Sequence, residues 1–497
     1  MIGKNPLTFD VNDFIKGMST SDNLPDGGFS PNSTGVNLAV SPGVVYGPAA
    51  TVTITTAPTN KIIAAAPDPV YLGTPSGSRY KFLDEDGAFY SFDSTATGLS
   101  KKVTASSDKV TQGTTDFVAW RNDAGTFWYA TTKSGANGDI MRWNGDSGGG
   151  ALIEDWWTNA AYCNQAALSS TTPWRPMLVY ERHLFIGDGN KLHRVAPDGT
   201  VSNGLLVFEP NENISALGID KGTGDMLIAV NPGANAAASR NTGTFIRLYD
   251  GFSNKVSRSV PMRGVVTCFK NLDDATRVFY DNNLGIFTGA GVRFLRKLEF
   301  ATGDGDLLVY PHRATVIGNT LYFFENKDII AYGEVRGNSA KVFYPLWRNS
   351  GTTANAGNRC LIGIDDYKLG IGYDTGSSSY GLITLDTTST TSAVLSIRSN
   401  RLSFNRPIKI REVYIELDGV VANNTTVGTF TVRSNPTSNN SSNSDWSFSI
   451  VNSSGIDSAC IVKTFPANDV SYRFFQMLID FSAVVGLRRV VINYDTE

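Results

Sequence analysis

"MLVYERHLFIGDGNKLHRVAPDGTV", residues 177–201, is a run of three short apolar segments separated by tight turns. One turn is built on residues 187–189, and the next on Asp198 and Gly199. Turns of Asp, Asn and Gly between alternating apolar segments are the strongest short-range signal of a β-hairpin. The stretch therefore predicts consecutive antiparallel strands and an all-β fold.

The same pattern recurs along most of the 497-residue chain. Examples are "YKFLDEDGAFYSFD" at residues 80–93 and "FVAWRNDAGTFWYATT" at residues 117–132. One anchor residue can be chosen in each recurrence: Phe82, Trp120, Val179, Gly218, Cys268, Val316 and Gly363. The anchors are separated on average by about 47 residues, the size of a four-stranded propeller blade. We expect an irregular β-propeller over residues 61–398, with seven blades or with six and one irregular insertion.

The pattern changes beyond residue 398. "IKIREVYIELDG" (residues 408–419) is one long alternating strand, and further apolar strands follow an uncharged Ser/Asn tract at residues 434–444. A few long strands of this kind predict an antiparallel β-sandwich over residues 399–497. The best candidate for a helix anywhere in the chain is "NAAYCNQAALSS", residues 159–170.

Residues 1–60 predict an extended N-terminal arm with the first strands of the body. Residues 27–60 contain no Asp, Glu, Lys or Arg and are interrupted by prolines. The segment lacks the cationic start and apolar run of a signal peptide, so we expect no cleavage. An uncharged, proline-rich segment of this kind gains order by lying on another surface.

We expect residues up to about 43 to dock on a sister subunit or another protein by β-addition. The candidate contact residues in the arm are Phe14, Phe29, Val36 and Leu38. The next apolar pieces, "VVY" at residues 44–46 and "TVTIT" at residues 51–55, are predicted to supply early strands of the propeller.

Composition excludes several classes of protein. The net charge of −3 gives no global basic field of the kind that nucleic-acid-binding domains carry. No apolar run reaches the roughly 18 residues of a membrane span. The four cysteines stand far apart, in no metal-binding or disulfide pattern, and predict small buried side chains in a reducing compartment.

"NGDSGGG", residues 144–150, matches the sequence around the nucleophile of trypsin-like serine proteases. In that family the base histidine precedes the serine, whereas His183, His193 and His312 all follow Ser147. A triad is defined by geometry rather than chain order, but a Gly-rich loop explains the stretch better. We predict no enzymatic activity and no catalytic residue.

Metal and cofactor motifs are also missing from the sequence. His183 and His193 lie in neighbouring strands without partners at ligand spacing. The adjacent acidic residues lack the spaced oxygens and glycine of a calcium loop: Asp84 and Asp86, Asp304 and Asp306, Asp365 and Asp366. No phosphate-binding loop is present. We predict no metal and no cofactor, while glycosidase carboxylates, which pair in space, stay open as an alternative.

Two insertions interrupt the repeat. Residues 143–174 contain four of the eight tryptophans, and they form either a satellite core or a protein contact surface, where tryptophan is enriched. On the second interpretation Trp156, Trp157 and Trp174 are interface residues. Residues 231–244 predict a loop with one charge, Arg240, as an inter-subunit or lumen-facing element.

The combination of uncharged arm, irregular propeller without strict repeat motifs, and terminal strand "LRRVVINYDTE" (residues 487–497) resembles tail proteins of tailed bacteriophages. It is most similar to the propeller proteins of the tail nozzle, or DNA-stabilising tail hub, of short-tailed phages. This resemblance implies a non-enzymatic ring of identical subunits that contacts neighbouring tail or adaptor proteins. It also implies packaged DNA in the axial channel without sequence-specific contacts, and a location in the virion after synthesis in the host cytoplasm.

The C-terminal sandwich departs from that pattern, so a tail-tip protein of a long-tailed phage stays open. A second alternative is a carbohydrate-binding or carbohydrate-cleaving propeller with an accessory sandwich, because propellers host unrelated functions. The expected lack of a signal peptide disfavours this secreted class, and likewise a bacterial surface or periplasmic scaffold.

Overall fold

The computed structural model describes most of the chain, with gaps. The described residues are 5–9, 18, 33–39, 44–48, 50–54, 57–69, 79–93, 98–106, 110, 115–132, 138–148, 150–169, 174–232, 243–298, 309–325, 327–334, 341–349, 357–376, 379–389, 395–434, 446–464 and 470–496. Two compact units result. The first contains Met1–Thr51, Asp328–Arg348 and Leu385–Glu497, and the second contains Val52–Lys327 and Asn349–Thr384.

The described residues form strands and one short 3-10 helix, Pro311–Arg313. The strands up to the fourth sheet are β1 (Asn5–Phe9), β2 (Val52–Thr53), β3 (Ile62–Pro67), β4 (Tyr80–Asp84), β5 (Ala88–Phe92), β6 (Ser100–Thr104), β7 (Phe117–Asn122), β8 (Gly125–Thr131), β9 (Ile140–Trp143), β10 (Leu152–Ile153), β11 (Met177–Tyr180), β12 (His183–Asp188), β13 (Lys191–Val195), β14 (Val201–Val207), β15 (Glu212–Ile219), β16 (Met226–Pro232), β17 (Thr244–Tyr249) and β18 (Arg258–Met262).

The remaining strands complete the propeller and form the C-terminal sheet. They are β19 (Val266–Asn271), β20 (Thr276–Tyr280), β21 (Asn283–Phe287), β22 (Val292–Lys297), β23 (Ala314–Ile317), β24 (Thr320–Glu325), β25 (Asp328–Glu334), β26 (Lys341–Arg348), β27 (Gly357–Ile364), β28 (Lys368–Asp374), β29 (Tyr380–Asp386), β30 (Leu395–Arg398), β31 (Leu402–Val421), β32 (Thr426–Arg433), β33 (Trp446–Val451), β34 (Ser458–Thr464), β35 (Tyr472–Phe481) and β36 (Gly486–Thr496).

Seven four-stranded antiparallel sheets make a seven-bladed β-propeller, which confirms the predicted class and decides between six and seven blades. Six sheets take four consecutive strands each, from β3–β6 to β23–β26. The first strand of each blade lies innermost, and each inner strand contacts the next: β3, β7, β11, β15, β19, β23 and β27. Strand β27 also contacts β3, so the ring of blades closes.

The seventh blade is completed by the N-terminal segment. Its order is β2-β29-β28-β27, with Val52 opposite Thr384 and Thr53 opposite Ile383. The outermost strand of the last blade therefore comes from residues that precede the first blade, within the stretch "TVTIT". Pairing the two ends of the propeller in one sheet fixes its closure by backbone hydrogen bonds.

The hairpins follow the turn chemistry of the sequence in most places. Between β4 and β5 the turn uses Gly87, whose φ is +77°, a conformation that glycine adopts without steric cost. Between β11 and β12 the turn has no glycine, and Glu181 and Arg182 take φ values of 47° and 65°. The indole N–H of Trp120 donates to the carbonyl of Arg182 over 2.7 Å and holds this unfavourable backbone in place.

Side chains between neighbouring blades supply the core. Phe89 of the first blade packs on Trp143 of the second, with ring centroids 5.2 Å apart. Tyr129 of the second blade packs on Trp156 at 4.7 Å, in a cluster that also holds Leu184 of the third. Each fully buried side chain of this size contributes about 1.5–3 kcal/mol or more to folding.

The first of the two units, called the C-terminal unit below, contains an eight-stranded antiparallel sheet, the C-terminal sheet. Strands β25 and β26 of the sixth blade also fall in this unit. The order is β1-β36-β31-β35-β32-β33, with β30 also paired to β35 and β34 to β31. The 20-residue strand β31 connects its parts, because it pairs with β34, β35 and β36. Face-to-face packing as a sandwich stays a prediction. The predicted boundary at residue 399 is slightly late, since β30 pairs with β35 and not with a blade.

The predicted arm lies on its own chain. Thr34 forms a bridge with Ser396, the N–H of Val36 donates to the Pro345 carbonyl over 2.9 Å, and Val45 forms a bridge with Leu487. The prediction that "VVY" is a propeller strand is therefore wrong, since Val45 pairs with β36, while docking of the arm on another protein stays a prediction. The apolar alternation that suggested β-addition is satisfied within the C-terminal unit.

Several other predictions have a clear outcome. The candidate helix at residues 159–170 is a series of turns, because Asn159 and its neighbours bond their own backbone in short loops. Cys163, Cys268 and Cys360 are free and buried, as predicted. No helix in the described residues is long and apolar enough to cross a membrane.

Candidate functional site

The inner strands of the propeller line a cavity of about 500 Å³. Its wall is polar and apolar in about equal parts, and most of it comes from the first strand of every blade. Residues that line it include Ala65, Val118, Leu178, Leu217, Ile219, Phe269, Val316 and Ile362. Four ionisable residues share this lining: Asp116, Lys270, His312 and Asp365. A volume of this order is typical of small-molecule pockets.

The 3-10 helix Pro311–Arg313 lies across one end of this cavity. It contacts inner strands β3, β19, β23 and β27, and the imidazole Nε2 of His312 lies 2.9 Å from Oδ1 of Asp116, directly before β7. The Thr267 hydroxyl donates to the carbonyl of Val309 over 2.7 Å. Contacts with so many blades place the helix on the propeller axis, where it closes that end.

Asp116 is buried, and its carboxylate has three hydrogen-bond partners within the protein. It accepts the N–H of Phe117 and of Met177, each at 2.8 Å, besides its bond with His312. Burial alone would raise the pKa of Asp116, but the hydrogen bond and charge of His312 and the two N–H donors outweigh it and hold this pKa below the usual range. The carboxylate therefore stays ionised and fixes the orientation of the imidazole.

A second buried charge, Arg175, stands behind the pair. Its guanidinium donates to the carbonyls of Thr132 and Ser169, at 3.1 and 2.5 Å. Burial lowers the pKa of Arg175, and the charges of Asp188 and Asp139 oppose that shift. A cavity of about 20 Å³, lined in part by Arg175 and Asp116, has the volume of one water molecule.

This arrangement orients groups but assembles no recognised catalytic set. The cavity lining contains neither serine nor cysteine, and its hydroxyl is that of Thr315. Ser147 is exposed in a loop, and the hydrogen bonds of His183, His193 and His312 are with residues other than Ser147. His183 lies 2.7 Å from the carbonyl of Glu181, and His193 accepts the N–H of Gly204 over 3.1 Å.

The acidic pairs have structural roles where they are described. Asp84 is buried and accepts the Tyr90 hydroxyl at 2.8 Å and the N–H of Ala88 at 2.9 Å. Asp365 accepts the hydroxyl of Tyr80 at 3.1 Å. Asp304 and Asp306 lie outside the described residues, within which no group of three or more potential metal ligands occurs.

The tryptophans of the insertion are buried within this chain. Trp156, Trp157 and Trp174 are 4%, 1% and 4% exposed. The indole N–H of Trp157 donates to the carbonyl of Ala166 over 2.9 Å. This burial is what the satellite-core interpretation predicts, and an interface over these three side chains stays a prediction.

The other interface candidates divide into two groups. Val36 and Leu38 are 0% and 2% exposed, so they are buried within this chain, and their role in an interface stays a prediction. Phe14, Phe29 and Arg240 lie outside the described residues.

A second groove, of about 570 Å³, lies beside the hairpin of β7 and β8. Polar residues Arg121, Asn122, Asp123 and Arg182 line it. Its one aromatic residue, Trp120, is 1% exposed and offers no open face for stacking on a sugar ring. The groove therefore gives no specific support to carbohydrate binding.

Comparisons with known proteins add a weak structural likeness. No family model matches the chain, and no curated protein matches it. One solved structure with a similar course of the chain is described as BBS1N in complex with ARL6DN, soaked with mercury. The match has a TM-score of 0.41 at 11% identity and covers 68% of this chain and 97% of that one.

Proposed function

We propose that this protein is a structural component of a bacteriophage tail, forming a ring of identical subunits that resembles the tail nozzle. In this proposal the ring contacts neighbouring tail or adaptor proteins in the virion, after synthesis in the host cytoplasm. Packaged DNA would pass through the channel between subunits, without sequence-specific contacts. The cavity inside each propeller, at about 500 Å³ and lined in part by Pro311 and His312, has the size of a small-molecule pocket, so in this proposal DNA does not pass through it.

The edge strand β33 carries the assembly part of this proposal. It ends the order of the C-terminal sheet, and β32 is its one paired strand among the described residues. Its sequence, "WSFSIV", contains no charge and no proline. Proteins that stay monomeric usually protect such edges with lysine, proline or a bulge, because an open edge pairs readily with another chain.

Aromatic contacts hold β33 on its neighbour. Phe448 of β33 stacks on Phe430 of β32, with centroids 5.3 Å apart and planes at 27°. Trp446 packs on Phe448 at 4.9 Å. Aromatic cross-strand pairs stabilise a sheet by about 0.2–1 kcal/mol each, and the register shift of this pair is confined to its end, between Thr426 and Gly428. A sister subunit is the partner we propose for the edge.

Light scattering after size-exclusion chromatography tests this assembly. We expect the purified protein to have a mass that is an integer multiple of the chain mass. Ser449→Lys places a charge on the exposed face of the edge strand and is expected to give monomers. Thr429→Lys is the matched control, since Thr429 is equally exposed but lies on β32, which is paired on both sides, and its ring should persist.

A protein that stays monomeric at every concentration, alone and with a phage adaptor, would contradict the ring. Mass spectrometry of purified phage particles tests the location, and absence of the chain from particles would contradict the tail assignment. Specific binding to a glycan array by the monomer would instead favour the carbohydrate-binding alternative.

A further inference from the structure

We propose that the cavity inside the propeller binds a small anionic molecule bearing a carboxylate or a phosphate group, with Lys270 as the counter-charge. The hydroxyl of Thr315 and the free ring nitrogen of His312 would complete the contacts. This binding site is independent of the proposed tail function.

The charges that line the cavity are unequally compensated. The carboxylate of Asp116 is occupied by His312 and two backbone N–H groups. Asp365 accepts the Tyr80 hydroxyl and lies 3.4 Å from the guanidinium of Arg79. Both negative charges are therefore already satisfied by the protein.

Lys270 has no such compensation. It is half-buried at the end of β19, where the preceding residues of "VTCFKN" are buried. Lys270 lines the cavity, and among the described residues its ammonium has no hydrogen-bond or ion-pair partner. Partly buried charges are normally paired, because removing an ammonium from water costs several kcal/mol, about what a counter-ion can return.

The field of this ammonium reaches the neighbouring core. Burial raises the thiol pKa of Cys268 to about 11, and the positive charge of Lys270 opposes that rise. The same charge opposes the rise at Cys360, which belongs to the inner strand of the seventh blade. The charge of Lys270 therefore acts on groups of two inner strands, β19 and β27, although Asp116 opposes it at Cys268.

His312 and Thr315 line the same cavity as Lys270. His312 is fixed through Nε2 by Asp116, which leaves Nδ1 for a ligand. Thr315, half-buried in β23, adds a hydroxyl that can donate or accept. One uncompensated ammonium with such polar partners, in a cavity whose two carboxylates are already occupied by protein donors, fits a small organic anion.

Isothermal titration calorimetry with inorganic phosphate and with succinate, at constant ionic strength, tests the proposal. We expect at least one of them to bind in a one-to-one ratio, and the preferred probe identifies the phosphate or carboxylate source. Lys270→Met should weaken that binding at least tenfold, and Lys270→Arg should restore most of it. Lys101→Met, the same substitution on the exposed outer strand β6, should leave binding unchanged.

Circular dichroism melting of each variant shows that it is folded, and methionine at position 270 suits the apolar part of the wall. If neither anion binds the wild-type protein, the proposal is wrong. Equal affinities of Lys270→Met and Lys101→Met would overturn it too. The ring mass of the same samples is read separately, so failure of anion binding and failure of the tail assignment are distinguishable.

Discussion

The propeller and the C-terminal unit are both antiparallel β structures, but they pair their strands over different distances along the chain. In the propeller nearly every strand pairs with its chain neighbour, as β12 does with β11 and β13. In the C-terminal unit β1 pairs with β36, and Val45 forms a bridge with Leu487. Long-range pairing must offset a larger loss of chain entropy. The C-terminal unit therefore depends on both ends of the chain.

The two regions also differ in what holds their parts together. Adjacent blades meet mainly through side chains, such as the aromatic cluster around Trp157. The N-terminal segment is joined to the C-terminal sheet by backbone hydrogen bonds and by buried residues such as Val36 and Leu38. Substitutions of single side chains should affect the propeller most, and loss of a chain end should affect the C-terminal unit most.

Deleting residues 1–46 should have the largest effect. It removes β1 and buried Val36, Leu38, Val44 and Val45, each contributing about 1.5–3 kcal/mol or less. We expect the C-terminal sheet to lose hydrogen-exchange protection, while the blades keep theirs because β2 is retained, except for the sixth blade, whose strand β26 bonds to Val36. Mass spectrometry of exchanged peptides measures both regions at once.

Deleting residues 1–4, which precede β1, is the control and should leave protection unchanged. Equal loss of protection in both regions after the longer deletion would show that the propeller also depends on the N-terminal segment before β2.

Trp157→Ala should have the next largest effect. Trp157 is 1% exposed in the cluster between the second and third blades, and removing a buried side chain of this size costs about 3–5 kcal/mol. A lowered melting temperature with unchanged oligomer mass is expected. Tyr162→Ala, in the same insertion but 40% exposed, should cost under about 1 kcal/mol. A variant that keeps its stability but loses assembly would favour the contact-surface interpretation.

The difference in pairing distance explains which features could be predicted. Blades were predictable because their turns are local: six of the seven anchors, all except Phe82, fall in innermost strands. The pairing of β1 with β36 leaves no local signal, since its partners lie at opposite ends of the chain. The same holds for Asp116 and His312, which are 196 positions apart.

Some missed residues do carry a weak signal. Lys270 follows an uninterrupted apolar run in "VTCFKN", and a charge at that place in an inner strand indicates an exposed or functional position. The tryptophans of residues 143–174 could not be assigned from sequence, because enrichment of tryptophan is typical of cores and of interfaces alike.

Lys81 offers a test at alkaline pH that is confined to the propeller. Its ammonium donates to the Ser91 hydroxyl over 2.9 Å and lies 5.0 and 5.2 Å from the ring centroids of Trp128 and Trp143. Burial lowers the pKa of Lys81 to about 8, so between that value and 10.5 the folded state releases a proton that the unfolded state keeps. The contribution of Lys81 to stability therefore rises with pH in this window, whereas the buried cysteines, whose thiol pKa values are raised, contribute in the opposite direction.

We expect the free energy of unfolding of the wild-type protein, from urea titrations followed by fluorescence, to rise relative to that of Lys81→Met between about pH 8 and pH 10, by at most about 1.4 kcal/mol per pH unit. The difference between the wild-type protein and Lys101→Met should stay constant over the same range, because Lys101 is exposed on β6. A constant difference between the wild-type protein and Lys81→Met would mean that Lys81 is not desolvated.

The smallest effect is expected at the contact of Tyr46 with Asp418, within the C-terminal unit. The Tyr46 hydroxyl donates to Asp418, and so does the guanidinium of Arg488. Burial, and then the bond to Asp418, raise the pKa of Tyr46 to about 12. The bonds from Tyr46 and Arg488 lower the pKa of Asp418. The contact therefore stabilises the folded state above the unfolded pKa of Asp, about 3.9, and this contribution is lost as pH falls through the lowered folded value.

Asp418→Asn should destabilise the C-terminal unit by about 1 kcal/mol at neutral pH, since the pair is largely exposed, and by less in acid. Asp495→Asn is the control: Asp495 pairs with Arg411 over 2.7 Å on the same two strands, β31 and β36, but does not contact residues 44–46. Hydrogen exchange of residues 44–46 near pH 7 and near pH 4 measures the difference. If both variants loosen this segment equally, surface charge and not the tyrosine contact holds it on the sheet. If only Asp418→Asn loosens this segment, the contact of Tyr46 with Asp418 reinforces the backbone bridge from Val45 to Leu487. Side chains then help to hold this region too, and the two regions differ in degree.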